Sequence, residues 1–126
     1  MTHRYLVISD LHLADVENHR DGWKYYKERR FVADKDICAL LRKFLESSAA
    51  GSENTLILNG DIFDFDLISP SKEKTDFKVS AFERRWGLRP TVEKSVWKLK
   101  KILKDHQGFI EGLVDFLAAG AKIVYI

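Results

Sequence analysis

Two short segments of the sequence carry metal-binding types of side chain, and each follows an apolar run. Asp10 and His12 come just after the run that ends at Ile8, and Asp61 follows the run that ends at Leu58. Carboxylate oxygens together with an imidazole nitrogen suit Mn, Fe, Zn or similar divalent ions, whereas an all-oxygen set would favour Mg or Ca. The residue types therefore predict a site for a divalent transition metal.

The spacing allows these side chains to serve one ion. On an extended segment Asp10 and His12 would point to the same side, about 6.6 Å apart along the chain, while Leu11 packs toward the core. Gly60 permits a close backbone approach or a positive φ next to Asp61. The carboxyl ends of parallel strands form one edge of a sheet, where ligands bind in α/β proteins. We therefore expect the two segments to converge there.

These residues can be interpreted either as a catalytic metal site or as ordinary capping and turn residues. A carboxylate can bridge two ions about 3.5 to 4 Å apart, and such a pair can generate a hydroxide nucleophile and neutralise a phosphoryl group. Taken singly, an Asp two residues before a His is more often a cap beside a structural His, and Gly-Asp is common turn chemistry. Both motifs within one βαβ crossover favour the metal site. The sequence has no competing P-loop and no catalytic Ser/His/Asp or Cys/His arrangement.

Three apolar runs predict the strands that position these residues. They are Tyr5–Ile8, Thr55–Leu58 and Lys122–Ile126. None of them alternates polar and apolar residues, so we expect a sheet that is covered on both faces. A helical pattern between the first two runs makes a βαβ unit with parallel strands. Strands that alternate with helices predict an α/β fold, and the length suits a single domain over residues 1–126.

Helices are predicted between these strands. Asp34 is the expected N-cap of the first helix, which ends near 47–51, and Thr91 is the expected N-cap of the second. A third helical stretch stops at Gly120. The positions expected to face the core are Ile37, Leu40, Leu41, Phe44 and Leu45 in the first, Val92, Val96, Leu99, Ile102 and Leu103 in the second, and Phe109, Leu113, Phe116 and Leu117 in the third.

The cysteine and the remaining histidine residues, whose side chains could react or bind metal, are interpreted as structural. Cys38 lies in an apolar helical pattern and is interpreted as a buried, inert thiol. The other histidines have no setting like that of His12 and are interpreted as surface residues: His3, His19 and His106. Segments 14–31 and 66–90 fit no regular element, and long segments of this kind often serve function.

The charge distribution is uneven. Residues 72–104 hold 11 Lys and Arg against 4 Asp and Glu, a net charge of +7, and the rest of the chain holds 10 against 15, a net charge of −5. The basic segment could steer a phosphorylated substrate, or it could be a solvated helix face. Nucleic-acid binding is not established by charge alone. No apolar run reaches the ~18 residues of a membrane span, and the pattern of a signal peptide is absent, so we expect a cytoplasmic protein.

The segments at 8–13 (I-S-D-L-H-L) and 59–64 (N-G-D-I-F-D) resemble the first two motifs of the calcineurin-like metallophosphoesterase family. The resemblance implies a four-layer α/β/β/α sandwich, of which residues 1–126 would form the N-terminal part. It also implies hydrolysis of phosphomonoesters, phosphodiesters or pyrophosphates by a metal-bound hydroxide at a binuclear centre. The substrate would be a phosphorylated compound of a type that the resemblance leaves open.

The resemblance implies a role for each matching residue. Asp10 and His12 would bind the first of two divalent ions (Mn, Fe, Zn or similar), and Asp61 would bridge both. Asp64 and Asn59 would support these ligands without binding metal themselves.

The family's later motifs are missing from this chain. In the family, a strand like the one ending at Ile126 is followed by a Gly-Asn-His motif, which supplies a ligand for the second metal and the catalytic histidine. We therefore expect a longer parent enzyme, with the present chain inactive alone and binding at most one ion weakly. Without the second half of the fold, an exposed sheet edge and apolar face would promote self-association.

A second hypothesis is a non-enzymatic α/β binding module, in which Asp10, His12 and Asp61 form a polar cluster or hold one structural ion. For the enzyme, the long segments supply candidate substrate contacts, although these side chains could equally pack the loops or be solvated. The candidates are Trp23, Arg84, Arg85 and Trp86.

Overall fold

The computed structural model describes residues 1–15, 33–66, 68 and 74–126, apart from the side chain of Arg85. The described residues form three strands and four helices. In chain order they are β1 (His3–Ile8), α1 (Asp34–Glu46), β2 (Glu53–Leu58), α2 (Ala81–Trp86), α3 (Val92–Asp105), α4 (Gln107–Ala118) and β3 (Lys122–Tyr125). The predicted mixed α/β fold is confirmed. None of the helices in the described part of the chain has the length and apolar character needed to cross a bilayer.

The chain divides into two compact units, which are described separately. Unit 1 comprises Met1–His12, Val32–Ile62 and His106–Ile126, and unit 2 comprises Leu13–Phe31 and Phe63–Asp105. Unit 1 therefore contains the whole sheet together with α1 and α4. Unit 2 contains α2 and α3.

The sheet of unit 1 is parallel, as predicted, with the strand order β1-β2-β3. Val7 pairs with Ile57, which in turn pairs with Val124, so these three side chains share one face of the sheet. The central strand β2 buries Leu56 and Leu58 on the opposite face. The two faces of the sheet consequently have different surroundings.

One sheet face is covered by helices. Arg4 of β1 donates from Nη1 to the Phe44 carbonyl of α1 at 2.9 Å, and its guanidinium lies 4.4 Å from the centre of the Phe44 ring. Phe44 stacks in turn on Phe116 of α4, with ring centres 6.3 Å apart. The core of unit 1 is formed by buried apolar side chains of α1, α4 and β2: Ile37, Leu41, Leu56, Leu58, Phe109 and Phe116.

The other sheet face is open among the described residues, so the prediction of a sheet covered on both faces is wrong for this part of the chain. Tyr5 and Val7 are 61% and 58% exposed, and Val124 is also exposed. We call Tyr5, Val7, Ile57 and Val124 the open sheet face. Its side chains are apolar, which explains why the strand sequences did not alternate. The prediction failed because an apolar strand sequence shows that a sheet face is suited to burial, but it does not show whether another element covers that face.

A buried hydrogen bond joins the start of α1 to the residue that precedes α4. His106 is only 1% exposed, which corrects its interpretation as a surface residue, and its Nδ1 lies 2.8 Å from Asp34 Oδ1. Asp34 Oδ2 accepts a hydrogen bond from the Phe109 backbone N–H at 3.2 Å. The predicted N-cap role of Asp34 is also wrong, because α1 begins at Asp34 itself and Ala33 occupies the cap position. The Asp34 carboxylate therefore binds His106 and the Phe109 N–H, which are distant in sequence, and does not cap its own helix.

The same helix pair approaches closely at Gly112. A Cβ atom on Gly112 would lie 2.5 Å from Cys38 Sγ, so this position requires glycine. The Cys38 thiol donates to the Gly108 carbonyl at 3.1 Å and is half-buried, not fully buried as predicted. Burial raises the pKa of the thiol, which agrees with a thiol of low reactivity. Two apolar residues that were predicted to face the core are exposed instead: Leu40 and Leu117.

Unit 2 contains a helix that the sequence analysis missed. Ser80 begins α2 with a capping box, in which its hydroxyl accepts from the Glu83 N–H at 3.1 Å while Glu83 Oε2 accepts from the Ser80 N–H at 3.0 Å. The predicted cap at Thr91 is confirmed, since its Oγ1 accepts from the Lys94 N–H at 3.3 Å. The apolar core of unit 2 includes Leu13, Ile68, Leu88 and Ile102.

The orientation of α3 differs in part from the prediction. Val92 and Val96, expected in the core, are 84% and 48% exposed, whereas Lys98 and Lys101 are 3% and 5% exposed. Ile102 is buried as predicted. Leu99 and Leu103 are half-buried, so the apolar side of α3 is turned toward solvent only at its two N-terminal valines.

Carboxylates within unit 2 explain this orientation. Glu83 forms an ion pair with Lys94, and Asp105 Oδ2 lies 3.4 Å from Lys101 Nζ. Burial lowers the pKa of Lys98, and the nearby carboxylates, led by Asp66, oppose that shift. Buried lysines are tolerated when carboxylates lie close to them. The lysine side of α3 therefore faces the acidic side chains of its own unit.

Candidate metal centre

The candidate site lies where β1 and β2 end, and backbone hydrogen bonds join the segments that follow them. The Asp10 N–H donates to the Gly60 carbonyl at 3.4 Å, and the His12 N–H donates to the Asp61 carbonyl at 2.9 Å. The Gly60 N–H donates to the Ile126 carbonyl at 3.0 Å, directly after β3. These bonds hold all three segments together at the carboxyl edge of the sheet.

Three residues of the site have a left-handed backbone. The φ angles are 55° at Asp10, 46° at His12 and 46° at Asp61, and they are the only non-glycine residues with positive φ in the part of the chain that is described. Asp and His adopt this region more readily than most residues, yet it is uncommon outside glycine. Strained backbone of this kind is concentrated at functional sites, where surrounding structure maintains it.

The left-handed conformation also changes how the ligands are aimed. The sequence predicts an extended segment, in which alternation would direct Asp10 and His12 to one side. The strand instead ends at Ile8, and positive φ angles follow at both ligand positions. The expected burial of Leu11 is observed, at 9% exposure. The same grouping of side chains is thus reached through left-handed residues in place of a strand extension.

The structure brings the three predicted ligands together. One oxygen or nitrogen atom each from Asp10, His12 and Asp61 lies within 4.8 Å of the other two, and all three side chains are exposed. The set of two carboxylates and one imidazole suits Mn, Fe or Zn. Three protein ligands with solvent access also match the ligand number of a catalytic zinc site. The residues therefore fit one divalent ion, and metal binding itself stays a prediction.

Asn59 and Asp64 make local contacts. The Asn59 N–H donates to the Ile8 carbonyl at 2.8 Å, which continues the pairing of β1 with β2. Asp64 belongs to unit 2, where its Oδ1 accepts from the Asp66 N–H at 3.0 Å and its N–H donates to the Leu13 carbonyl at 2.9 Å. Both residues stabilise the chain next to the motif. Their support of metal ligands stays a prediction.

The four candidate substrate contacts belong to unit 2 or lie outside the described residues. Trp23 and the side chain of Arg85 lie outside the described residues. Arg84 and Trp86 are exposed on α2 of unit 2. Their contact with substrate stays a prediction.

The carbonyl of Ile126 is a neighbour of the site that the sequence motifs did not predict. Its place follows from the pairing of β3 with β2, where the Ile126 N–H donates to the Leu58 carbonyl at 2.9 Å. A prediction that β3 pairs with β2 in parallel would have placed Ile126 next to this site. The consequence is that the end of β3 lies directly beside the turn that carries Asp61.

Comparisons with protein-family models, with curated proteins and with solved structures found no match to this chain. A functional conclusion must therefore come from the chemistry and geometry of its own residues.

Proposed function

We propose that this chain carries the first two metal-binding motifs of a calcineurin-like metallophosphoesterase, an enzyme that hydrolyses phosphate esters or pyrophosphates. The observation that supports the proposal is the grouping of Asp10, His12 and Asp61, all exposed and all left-handed, at the carboxyl edge of a parallel sheet. Ligand sites of α/β sheets lie at this edge. A structural polar cluster alone would not require strained backbone at each of its members.

In this proposal Asp10 and His12 hold the first ion, and Asp61 is shared with a second. A divalent ion in this position supplies positive charge toward a phosphoryl group and makes water a better nucleophile. The protein's own contribution is to fix the three ligands before the ion arrives. Backbone hydrogen bonds between the two ligand segments, His12 N–H to the Asp61 carbonyl among them, provide that preorganisation.

Three protein ligands are too few for two ions, so the proposal assigns the remaining ligands to a chain longer than residues 1–126. The Ile126 carbonyl accepts from the Gly60 N–H, so residues following Ile126 in such a chain would start beside Asp61. The open sheet face would pack against a second sheet, giving the four-layer sandwich of the family. Its exposed Tyr5, Val7 and Val124 are the kind of surface that such a sheet would bury.

Metal binding is tested first on the 126-residue chain itself. Titration with Mn²⁺, followed by paramagnetic broadening of NMR signals, should broaden the resonances of Asp10, His12 and Asp61 before others. Asp61→Asn should weaken binding at least about tenfold, since it removes a ligand charge. Asp36→Asn, which removes an exposed acid in the first turn of α1, is the matched control and should leave binding unchanged. Equal broadening in both variants would refute the site.

Catalysis is tested separately on the longer enzyme. Mn²⁺-dependent hydrolysis of p-nitrophenyl phosphate and bis-p-nitrophenyl phosphate should fall at least about 100-fold in Asp61→Asn and not in Asp36→Asn. The ratio of the two rates would indicate whether monoesters or diesters are preferred. If the parent enzyme shows no metal-dependent turnover of these esters or of a pyrophosphate substrate, the phosphoesterase proposal is wrong.

The ligand number supports one alternative, a non-enzymatic module that holds a single structural ion. Three ligand atoms within 4.8 Å of one another are sufficient for one ion. This alternative predicts that Mn²⁺ or Zn²⁺ raises the melting temperature without any turnover. The two functions therefore differ in the hydrolysis assay, even where their metal titrations agree.

A further inference from the structure

The exposed side of α3 in unit 2 combines apolar and basic residues. Val92, Val96 and Lys100 are spaced four residues apart and are all exposed, so they form one stripe along the helix. Leu99 and Leu103 lie beside this stripe and are half-buried. We call these five residues the outer face of α3. Val92, at the start of this face, is 84% exposed.

Interactions on the opposite side of α3 keep its outer face exposed to solvent. Rotating α3 to bury the valines would expose Lys98 and Lys101 and would break the ion pair of Lys94 with the buried Glu83. Separating a buried carboxylate from its partner leaves an uncompensated charge, which costs as much stability as burying two valines would return. The outward orientation is therefore a stable property of unit 2.

The exposed charges of unit 2 as a whole indicate the chemistry of a partner. Among the described residues of unit 2, the exposed basic side chains are Lys74, Lys78, Arg84, Arg89, Lys100 and Lys104, and the exposed acidic ones are Asp66, Asp76 and Glu93. The excess is positive. The α2 helix of the same unit also exposes Phe82 and Trp86, aromatic residues of the kind found at membrane–water interfaces.

We propose that unit 2 binds the surface of an anionic lipid bilayer through the outer face of α3. A basic amphipathic helix can lie in the plane of such a surface, with its apolar side among the acyl chains and its lysines at the lipid phosphates. Aliphatic Val92 and Val96 favour lipid over nucleic acid, because valine cannot stack on bases as aromatic residues do. This inference does not depend on the proposed metal site or its chemistry.

Sedimentation of the 126-residue chain with vesicles tests the proposal. The chain should bind vesicles of mixed phosphatidylcholine and phosphatidylserine, should not bind pure phosphatidylcholine, and should be released by salt. The double variant V92S/V96S should bind about tenfold more weakly, because it removes apolar area from the lipid contact. Lys100→Ala should weaken binding about fivefold, the effect of one lysine near an anionic surface.

The matched control is V114S/L117S, which removes two exposed apolar residues from α4 of unit 1, a helix without lysine or arginine. Vesicle binding should be unchanged in this variant, and circular dichroism should show every variant to be as folded as the parent chain. Failure to bind anionic vesicles, or equal losses in V92S/V96S and V114S/L117S, would overturn the proposal. The proposal would also be overturned if the chain bound single-stranded DNA more tightly than vesicles, in a salt-sensitive way, and if V92S/V96S left that binding unchanged.

Discussion

At the scale of single residues, the candidate site stands out by its backbone. Asp10, His12 and Asp61 are the three ligand candidates, and each has a left-handed backbone. A left-handed residue with a Cβ atom costs about 1 kcal/mol relative to its preferred conformation. The chain therefore gives up stability at the positions where ligands are needed. Such a cost is typical of sites in which geometry matters more than stability.

Substitutions at Asp61 should separate backbone strain from the loss of the carboxylate. Both Asp61→Gly and Asp61→Ala remove the ligand, but only glycine adopts a positive φ freely. We expect the glycine variant to be about 1 kcal/mol more stable than the alanine variant in urea unfolding without metal. Ala39→Gly, in the exposed middle of α1, is the control and should show the reverse order, with glycine about 1 kcal/mol less stable. Equal stability of the two Asp61 variants would mean that this backbone is not strained in solution.

At the scale of helices, the α1–α4 interface depends on the absence of a side chain at Gly112. The Cβ atom of Gly112→Ala would meet Cys38 Sγ at 2.5 Å. We expect this variant to lose about 1 to 3 kcal/mol of stability despite the better helix propensity of alanine. Adding Cys38→Ala should restore most of that loss, because it removes the sulfur atom. Strictly additive effects in thermal or urea unfolding would show that the two positions are not in contact.

The Glu83 carboxylate should make the stability of unit 2 depend on pH. Its hydrogen bond with Lys94, supported by the Ser80 N–H, lowers the pKa of Glu83 from 4.5 to about 2. Because the folded-state pKa is the lower one, this stabilisation is complete above pH 4.5 and is lost as the pH falls toward 2.

We therefore expect Glu83→Gln to cost about 1 to 3 kcal/mol at pH 7, since it leaves the half-buried Lys94 with a weaker partner. The difference from the parent chain should shrink as the pH falls below 4.5. Urea unfolding at a series of pH values measures this difference. A constant difference across the series would contradict the assigned role of the carboxylate.

The elements differ in how far sequence could predict them. The parallel strands and the approach of Asp10 to Asp61 follow from local patterns, because apolar runs end just before each ligand. The partner of Asp34 could not be predicted, since His106 lies 72 residues away and competes with a local cap. The exposure of Val92 and Val96 on α3 was missed because periodicity shows that a helix has two sides, but not which residues lie near carboxylates such as Glu83. The left-handed turns were missed because alternation was assumed to continue past Ile8.

At the scale of the whole molecule, the open sheet face should control association of the 126-residue chain. Tyr5 and Val7 are more than half exposed on a face with apolar neighbours, and such faces promote contacts between molecules. We expect concentration-dependent self-association in sedimentation velocity. The double variant V7T/V124T, which keeps β-branched side chains, should weaken it about tenfold. Val114→Thr on the exposed side of α4 is the control, and an equal effect there would place the contact elsewhere.

The order of the two units along the chain has a consequence for synthesis. Residues 63–105 of unit 2 emerge from the ribosome before α4 and β3, which complete unit 1. The buried partner of Asp34 is His106, so α1 must wait for the later residues while β1 and β2 are already available. A chaperone that protects exposed apolar surface would meet α1 and the first two strands throughout this interval. The nascent chain should therefore be most vulnerable to misfolding just before residue 106 becomes available.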